Sequence, residues 1–140
     1  MKVMRRHALL SVRIMEGMEF LEQEIPTVRY HHERFDGSGY PEGLSGATIP
    51  LTARILSVAD AFDAMTSPRT FRNAKSTSEA LAEVREGSAT QFDPAVVEAF
   101  FAVAEKLGPE MTNVPGLRRH KGLGLDALHE AAGTAADASG

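Results

Sequence analysis

A chain of 140 residues, 43% hydrophobic and 24% charged, has the size and composition of one globular domain and not of a disordered segment. A net charge of −4 removes the overall basic face that duplex nucleic acid demands, and the absence of cysteine excludes disulfides, zinc-thiolate sites and thiol nucleophiles. No run approaches the roughly 18 apolar residues of a membrane span, and Arg13 and Glu16 interrupt the apolar stretch a signal peptide needs, so the cytoplasm is the expected location.

Met4, His7, Leu10, Ile14 and Met18 recur at spacings of three and four, which predicts a helix over about residues 2–19 that starts without a capping residue. Pro26 suits a first helical turn. Val28, His31 or His32, and Phe35 then follow at helical spacing, so the paired histidines are expected near the end of a short helix that Gly37 and Gly39 terminate. From Asp36 to Thr48 the glycines and Pro41 predict an ordered turn region. Pro50 opens a third helix with an apolar stripe of Leu51, Ile55, Val58, Ala59, Phe62 and Met65, and Asp60 falls beside it. Ser76 and Glu79 match a capping box and predict a helix to Glu86 with Gly87 beyond it. Asp93 followed by Pro94 predicts a capped helix that runs to about Lys106 and stops at Gly108. Residues 109–140, rich in Gly, Ala and Thr with one short amphipathic piece around Leu125 to Ala131, read as a mostly disordered tail. No period-two run of β-branched residues occurs, and the domain reads as all-α.

Without thiolates, a metal must be held by imidazole and carboxylate, donors that suit Mn, Fe, Zn or Ni. The candidates are His7 on an apolar helical face, the adjacent His31 and His32, and Asp60. Each has a plainer alternative: a lone histidine on an apolar face is more often a satisfied core residue, and an aspartate can cap a helix or pair with a base. Adjacent side chains on a helix point about 100° apart, so both histidines cannot be core. Spacing alone leaves ligation and structure equally open.

The stretch "HHERFDGSGYPEGLSGATIPLTARILSVADAFDAMTSPRTFRNA", from His31 to Ala74, resembles the signature half of the HD-GYP family, bacterial metal-dependent phosphodiesterases that open cyclic di-GMP. The resemblance continues through "FDPAVVEAF", Phe92 to Phe100. It implies a helical bundle in which His7, His31, His32 and Asp60 ligate metal, with His31, His32 and Asp60 serving catalysis. It places Gly39, Tyr40 and Pro41, together with Gly37, in the family's namesake loop beside the substrate, and Arg69 and Arg72 near the nucleotide phosphates, a task that the planar guanidinium suits. Glu33, Arg34 and Asp36 read as a network holding the glycine turn, Asp63 as a helix-surface or network residue, and His120 and His129 in the tail as non-ligands. The implied cofactors are divalent metal ions, iron or manganese, two or three in the complete family site, which clamp a phosphodiester and lower the pKa of a bound water. The implied partners are a cyclic dinucleotide and a diguanylate cyclase (GGDEF) domain.

One element of the family pattern does not occur: no aspartate of this sequence is preceded by histidine. In the family that pair lies upstream of the helix containing His7. The resemblance therefore implies a C-terminal portion, with residues 1–108 a partial HD-GYP domain whose N-terminal helices are absent, and residues 109–140 the tail. Apolar faces left open by such an absence favour self-association or an N-terminal HD-containing polypeptide. Three functions compete. The first is hydrolysis of cyclic di-GMP in bacterial second-messenger signalling, by a site this chain alone does not complete. The second is a degenerate, non-catalytic module that binds cyclic di-GMP or a partner signalling protein. The third is a helical interaction domain whose histidines have no chemical role.

Overall fold

A computed structural model describes residues 12–16 and 22–108. His7, most of the helix predicted over 2–19, and the tail from 109 with His120 and His129 lie outside the described residues.

Residues 12–15 are helical, with the Glu16 N–H donating to the Val12 carbonyl at 2.8 Å and Val12 buried. Pro26, whose missing N–H costs nothing in a first turn, opens the short helix α1 (Ile25–Tyr30). An irregular stretch and one 3-10 turn (Gly46–Thr48) lead to α2 (Leu51–Thr66), the longest described helix. Helix α3 (Thr77–Glu86) and helix α4 (Pro94–Leu107) follow. Among the described residues there is no strand, and the architecture is all-α, as the absence of period-two patterning predicts.

Both predicted caps form. The Glu79 N–H donates to Ser76 Oγ at 3.2 Å, and Glu79 Oε2 accepts the Ser76 N–H at 2.8 Å, satisfying two backbone donors that a helix start leaves orphaned. At α4 the Asp93 carboxylate accepts the Ala95 N–H at 2.8 Å. Its second oxygen accepts from the Arg54 guanidinium, whose Nε–H donates to the Ile49 carbonyl at 2.9 Å. Asp93 is 5% exposed, so this ion pair bolts the start of α4 to the first turns of α2 inside the protein.

α2 is the spine, packing against α1, α3 and α4. Val58 and Phe62 of α2 meet Ala80 and Val84 of α3 and Phe92, Val96 and Val97 at and after the start of α4. Each large apolar side chain so buried stabilises the fold by about 1.5–3 kcal/mol. Phe100 closes edge-on against Phe62 at 5.2 Å between ring centroids, and the Arg85 guanidinium covers Phe101 at 3.9 Å. The stripe predicted for α2 is only partly covered among the described residues. Leu51 and Ile55 are 54% and 50% exposed, and the inward positions are Ala53, Val58 and Phe62. Two apolar stripes run along this helix, and α3 and α4 cover only one. Ile14, on the apolar face read for the first helix, is likewise 52% exposed, while Val12 is buried.

Two tests follow from the caps. Asp93→Ala removes the N-cap acceptor and strands the Arg54 charge, and is expected to lower unfolding free energy by about 2–4 kcal/mol in urea titration. Asp93→Asn keeps a cap oxygen but loses the charge paired with Arg54, and is expected to lose less; equal losses would show that the cap oxygen adds nothing beyond the ion pair. The Glu79 carboxyl lies below its ordinary 4.5, first through the Ser76 N–H and then the Ser76 hydroxyl. A carboxyl lowered in the folded state contributes stability above its ordinary pKa and loses it as pH falls through the folded value. Glu79→Gln should therefore show a shallower fall in urea midpoint between about pH 5 and pH 3 than the parent chain.

Candidate functional site

α1 ends at Tyr30, and His31 caps it with helical backbone angles (φ −67°, ψ −12°). His32 follows in the turn, off the helix. The two rings are therefore not splayed as on a helix but lie against each other, centroids 3.9 Å apart and planes inclined by 40°. His31 is 3% exposed, and its Nδ1 lies 2.7 Å from the Val28 carbonyl, three residues back. A carbonyl only accepts, so Nδ1 carries a proton, and in the neutral ring Nε2 is then the nitrogen with the lone pair. That is the arrangement by which a second partner fixes the tautomer of a metal-ligating histidine.

Tyr40 also stacks on His32, at 5.0 Å with 23° between planes. The Tyr40 N–H donates to the His32 carbonyl at 3.3 Å. Burial pushes the Tyr40 phenol above its ordinary 10.0, which keeps the hydroxyl protonated and able to donate near neutral pH. The Tyr40–Pro41 peptide is cis. His31, His32 and Tyr40 thus form a continuous run of three rings.

The next residue explains why the run holds its shape. Glu33 is 3% exposed, and its carboxylate gathers the backbone N–H groups of Glu42, Gly43 and Leu44 at 2.7–3.1 Å. A buried charge so surrounded by donors is compensated where it sits, and each charge-assisted bond of this kind is worth about 1.5–3 kcal/mol on removal. Gly39 completes the closure. A Cβ there would stand 2.3 Å from Arg34 N and 2.6 Å from Glu33 Cα, so nothing larger than hydrogen fits between the loop and the chain it folds over. Gly37 sits at φ +84°, the left-handed region where glycine alone is unstrained. Asp36 accepts from the Ser38 N–H and hydroxyl at 2.9 and 2.6 Å, with the Arg34 guanidinium 3.5 Å away. Outside, Arg29 and the Tyr30 hydroxyl donate to Glu42 at 2.7 and 3.3 Å, an exposed clamp of small weight. The unit is hooked to the core where the Phe35 and Asp36 N–H groups donate to the Gln91 and Thr90 carbonyls, just before α4.

The remaining expected residues lie along α2 and beyond. Asp60 is half-buried near the middle of α2. Asp63, one turn on, accepts from Ser67 through both carboxylate and carbonyl, which makes it part of the network ending the helix. Arg69 and Arg72 are exposed in the following loop, where Arg72 donates to the Ala64 carbonyl with one of its five N–H groups. Among the described residues no three His, Cys, Asp or Glu side chains stand close enough to share a metal ion. His7, the fourth expected ligand, lies outside them. Sequence reasoning missed the Val28 carbonyl as the partner that orients His31, although the spacing of three back from a helix C-cap was a usable signal. It also gave no sign of the Tyr40–His32 stack, because contact across eight residues depends on how the loop closes.

Gly39→Ala is expected to unseat the loop, lowering the urea midpoint and exposing Tyr40 to solvent, read as a change in tyrosine absorbance. Glu33→Gln keeps the shape with a neutral acceptor and is expected to cost about 1–3 kcal/mol; an unchanged midpoint would show that the loop closes without the carboxylate.

The chain matches the HD domain family over residues 1–96. It is 53% identical over 76 residues to a cyclic di-GMP phosphodiesterase of Vibrio cholerae, covering 54% of this chain and 15% of that protein. It is 40% identical over 122 residues to a cyclic di-GMP phosphodiesterase of Thermotoga maritima, covering 86% and 32%. A crystal structure of a cyclic GMP-AMP specific phosphodiesterase of V. cholerae superposes with a TM-score of 0.61 at 27% identity, covering 85% of this chain and 25% of that one. The chain thus spans a third or less of the length of these relatives. No helix among the described residues is long and apolar enough to cross a membrane. Family match, relatives and helical architecture agree with the motif from His31 to Ala74, and the chain belongs to the HD domain family, in its HD-GYP branch.

Proposed function

We propose that this chain contributes His31, His32 and Asp60 to a divalent-metal site that hydrolyses a phosphodiester bond of a cyclic dinucleotide, cyclic di-GMP in the first instance, and so closes a bacterial second-messenger signal. The observation that carries the reading is the His31 ring, buried with Nδ1–H spent on the Val28 carbonyl and Nε2 left as the donor nitrogen. A buried core histidine needs only a satisfied hydrogen bond. This one lies against a second imidazole, which in turn lies under Tyr40 of a loop held by Glu33.

The donor types, neutral imidazole and carboxylate without thiolate, suit a hard or borderline cation such as manganese or iron, but among the described residues no three of them close on one ion, so the site needs a ligand beyond them. His31 and His32 would hold it from the α1 side and Asp60 from α2, with His7 as a further ligand. When bound, such cations lower the pKa of water and offset charge on a phosphodiester. The chain's own residues do the rest. Tyr40, a protonated phenol on the loop rim, donates a hydrogen bond to the nucleotide. Arg69 and Arg72 bind its phosphates, and Arg72 has guanidinium N–H groups beyond the one given to Ala64. The names of the relatives, phosphodiesterases of cyclic di-GMP and of cyclic GMP-AMP, support a two-purine ring as the substrate class.

The test is metal content of the purified chain together with turnover of cyclic di-GMP and cyclic GMP-AMP in manganese or iron. Retained metal and a linear dinucleotide product are expected, with His31→Ala losing metal affinity by about 10–100-fold or more. Nucleotide binding without turnover would instead make the chain a non-catalytic binding module. A chain that holds neither metal nor nucleotide sinks the proposal.

A further inference from the structure

The loop between α2 and α3 is closed at both ends. The Ser67 N–H donates to the Asp63 carbonyl, and the Lys75 N–H donates back to the Met65 carbonyl at 2.8 Å. Inside it, Arg69 and Arg72 exchange both of their backbone hydrogen bonds, at 3.0 and 3.1 Å, which makes Thr70 and Phe71 the two-residue tip of a tight hairpin. Such tips ordinarily carry Gly, Asn or Asp. This one carries a phenylalanine that is 99% exposed. The ring forgoes the burial that makes aromatics core residues, so the fold gains nothing from it. Nor does it swing freely on a long loop. Arg72 pins the hairpin to the Ala64 carbonyl, four residues and so about 6 Å along α2 from Asp60.

The surroundings of Phe71 decide what it suits. Residues 68–74 are all exposed, and Phe71 is the one large apolar side chain among them, with Arg69 two positions before it and Arg72 one after. A protein-docking anchor sits within a broader apolar patch that excludes water, and here the neighbours are threonine, arginine and asparagine. An exposed flat ring with an arginine two positions before it and another directly after it is instead the pairing that single nucleotides need: a π-face for the base and cations on the same hairpin for the phosphates.

We infer that Phe71 is a stacking platform for one purine base of the cyclic dinucleotide, held over the end of α2 by the Arg69–Arg72 hairpin. This deepens the proposed function and rests on it. The platform binds substrate and takes no part in bond breaking.

The chain contains no tryptophan, so Phe71→Trp in the full 140-residue chain creates a sole reporter at this position. Titration with cyclic di-GMP is expected to quench its emission as the base stacks. Calorimetry should find binding about tenfold weaker in Phe71→Ala and in Phe71→Leu, and near parental strength in Phe71→Tyr. An exposed side chain has no packing to lose, so circular dichroism should be the same for all four variants. If the parent chain binds cyclic di-GMP while the alanine variant binds equally well and the tryptophan emission stays flat, the stacking role is wrong and the proposed function stands. If the parent chain binds no cyclic dinucleotide, the function fails and this inference with it. Emission that shifts with protein concentration before nucleotide is added would assign Phe71 to contact with a second copy, and would also overturn it.

Discussion

The Glu33 carboxylate, buried and filled by three backbone N–H groups from residues 42–44, is the interaction on which the rest of the site depends. It sits immediately after the paired histidines and reaches forward about ten residues, so it folds the glycine loop back over the chain that carries the rings. Gly39 can then pack on the backbone of Glu33 and Arg34, and Tyr40 is delivered face-on to His32. The charge is costly to bury but is met by donors that have no other partner in a turn, which is why a carboxylate here is structural. A site built in this way holds its geometry before any ligand arrives, as precise chemistry requires.

The second constraint is α2. Its inward stripe builds the core with α3 and α4, Arg54 near its start holds Asp93, Asp60 lies near its middle, and its end is fastened through Asp63 and Ala64 to the loop bearing Arg69, Phe71 and Arg72. Core packing and site positioning are thus two uses of one helix. The histidine unit reaches the same body by another route, through the hydrogen bonds of Phe35 and Asp36 to Gln91 and Thr90 ahead of α4. Movement of either unit relative to the other requires breaking these backbone hydrogen bonds, not merely turning a loop.

Much of this was legible in the amino-acid order because it is locally determined. The caps at Ser76 and Asp93 form as read, since a cap is a bond between residues two or three apart. The order "HHERFDGSGYPEGL" identified both the histidines and the loop that covers them. Leu51 and Ile55 of the α2 stripe are exposed, and periodicity could not say so in advance, because it reports that a helix has an apolar face without saying which neighbours will cover it. Phe71 carries no signal in the amino-acid order, and only its position at a closed hairpin tip sets it apart.

By itself, then, the sequence determined the helical class, the ends of α3 and α4, the family and the residue types available for chemistry. These follow from hydrogen bonds within one turn and from the absence of thiolate. The tertiary structure alone decided that the His31 and His32 rings meet at the end of the helix, that Val28 fixes the proton of His31, that Glu33 serves the loop, and that Arg54 finds Asp93 across 39 residues. Those pairings depend on which surfaces the folded chain buries together, and burial is a property of the whole packing, not of any short stretch of residues.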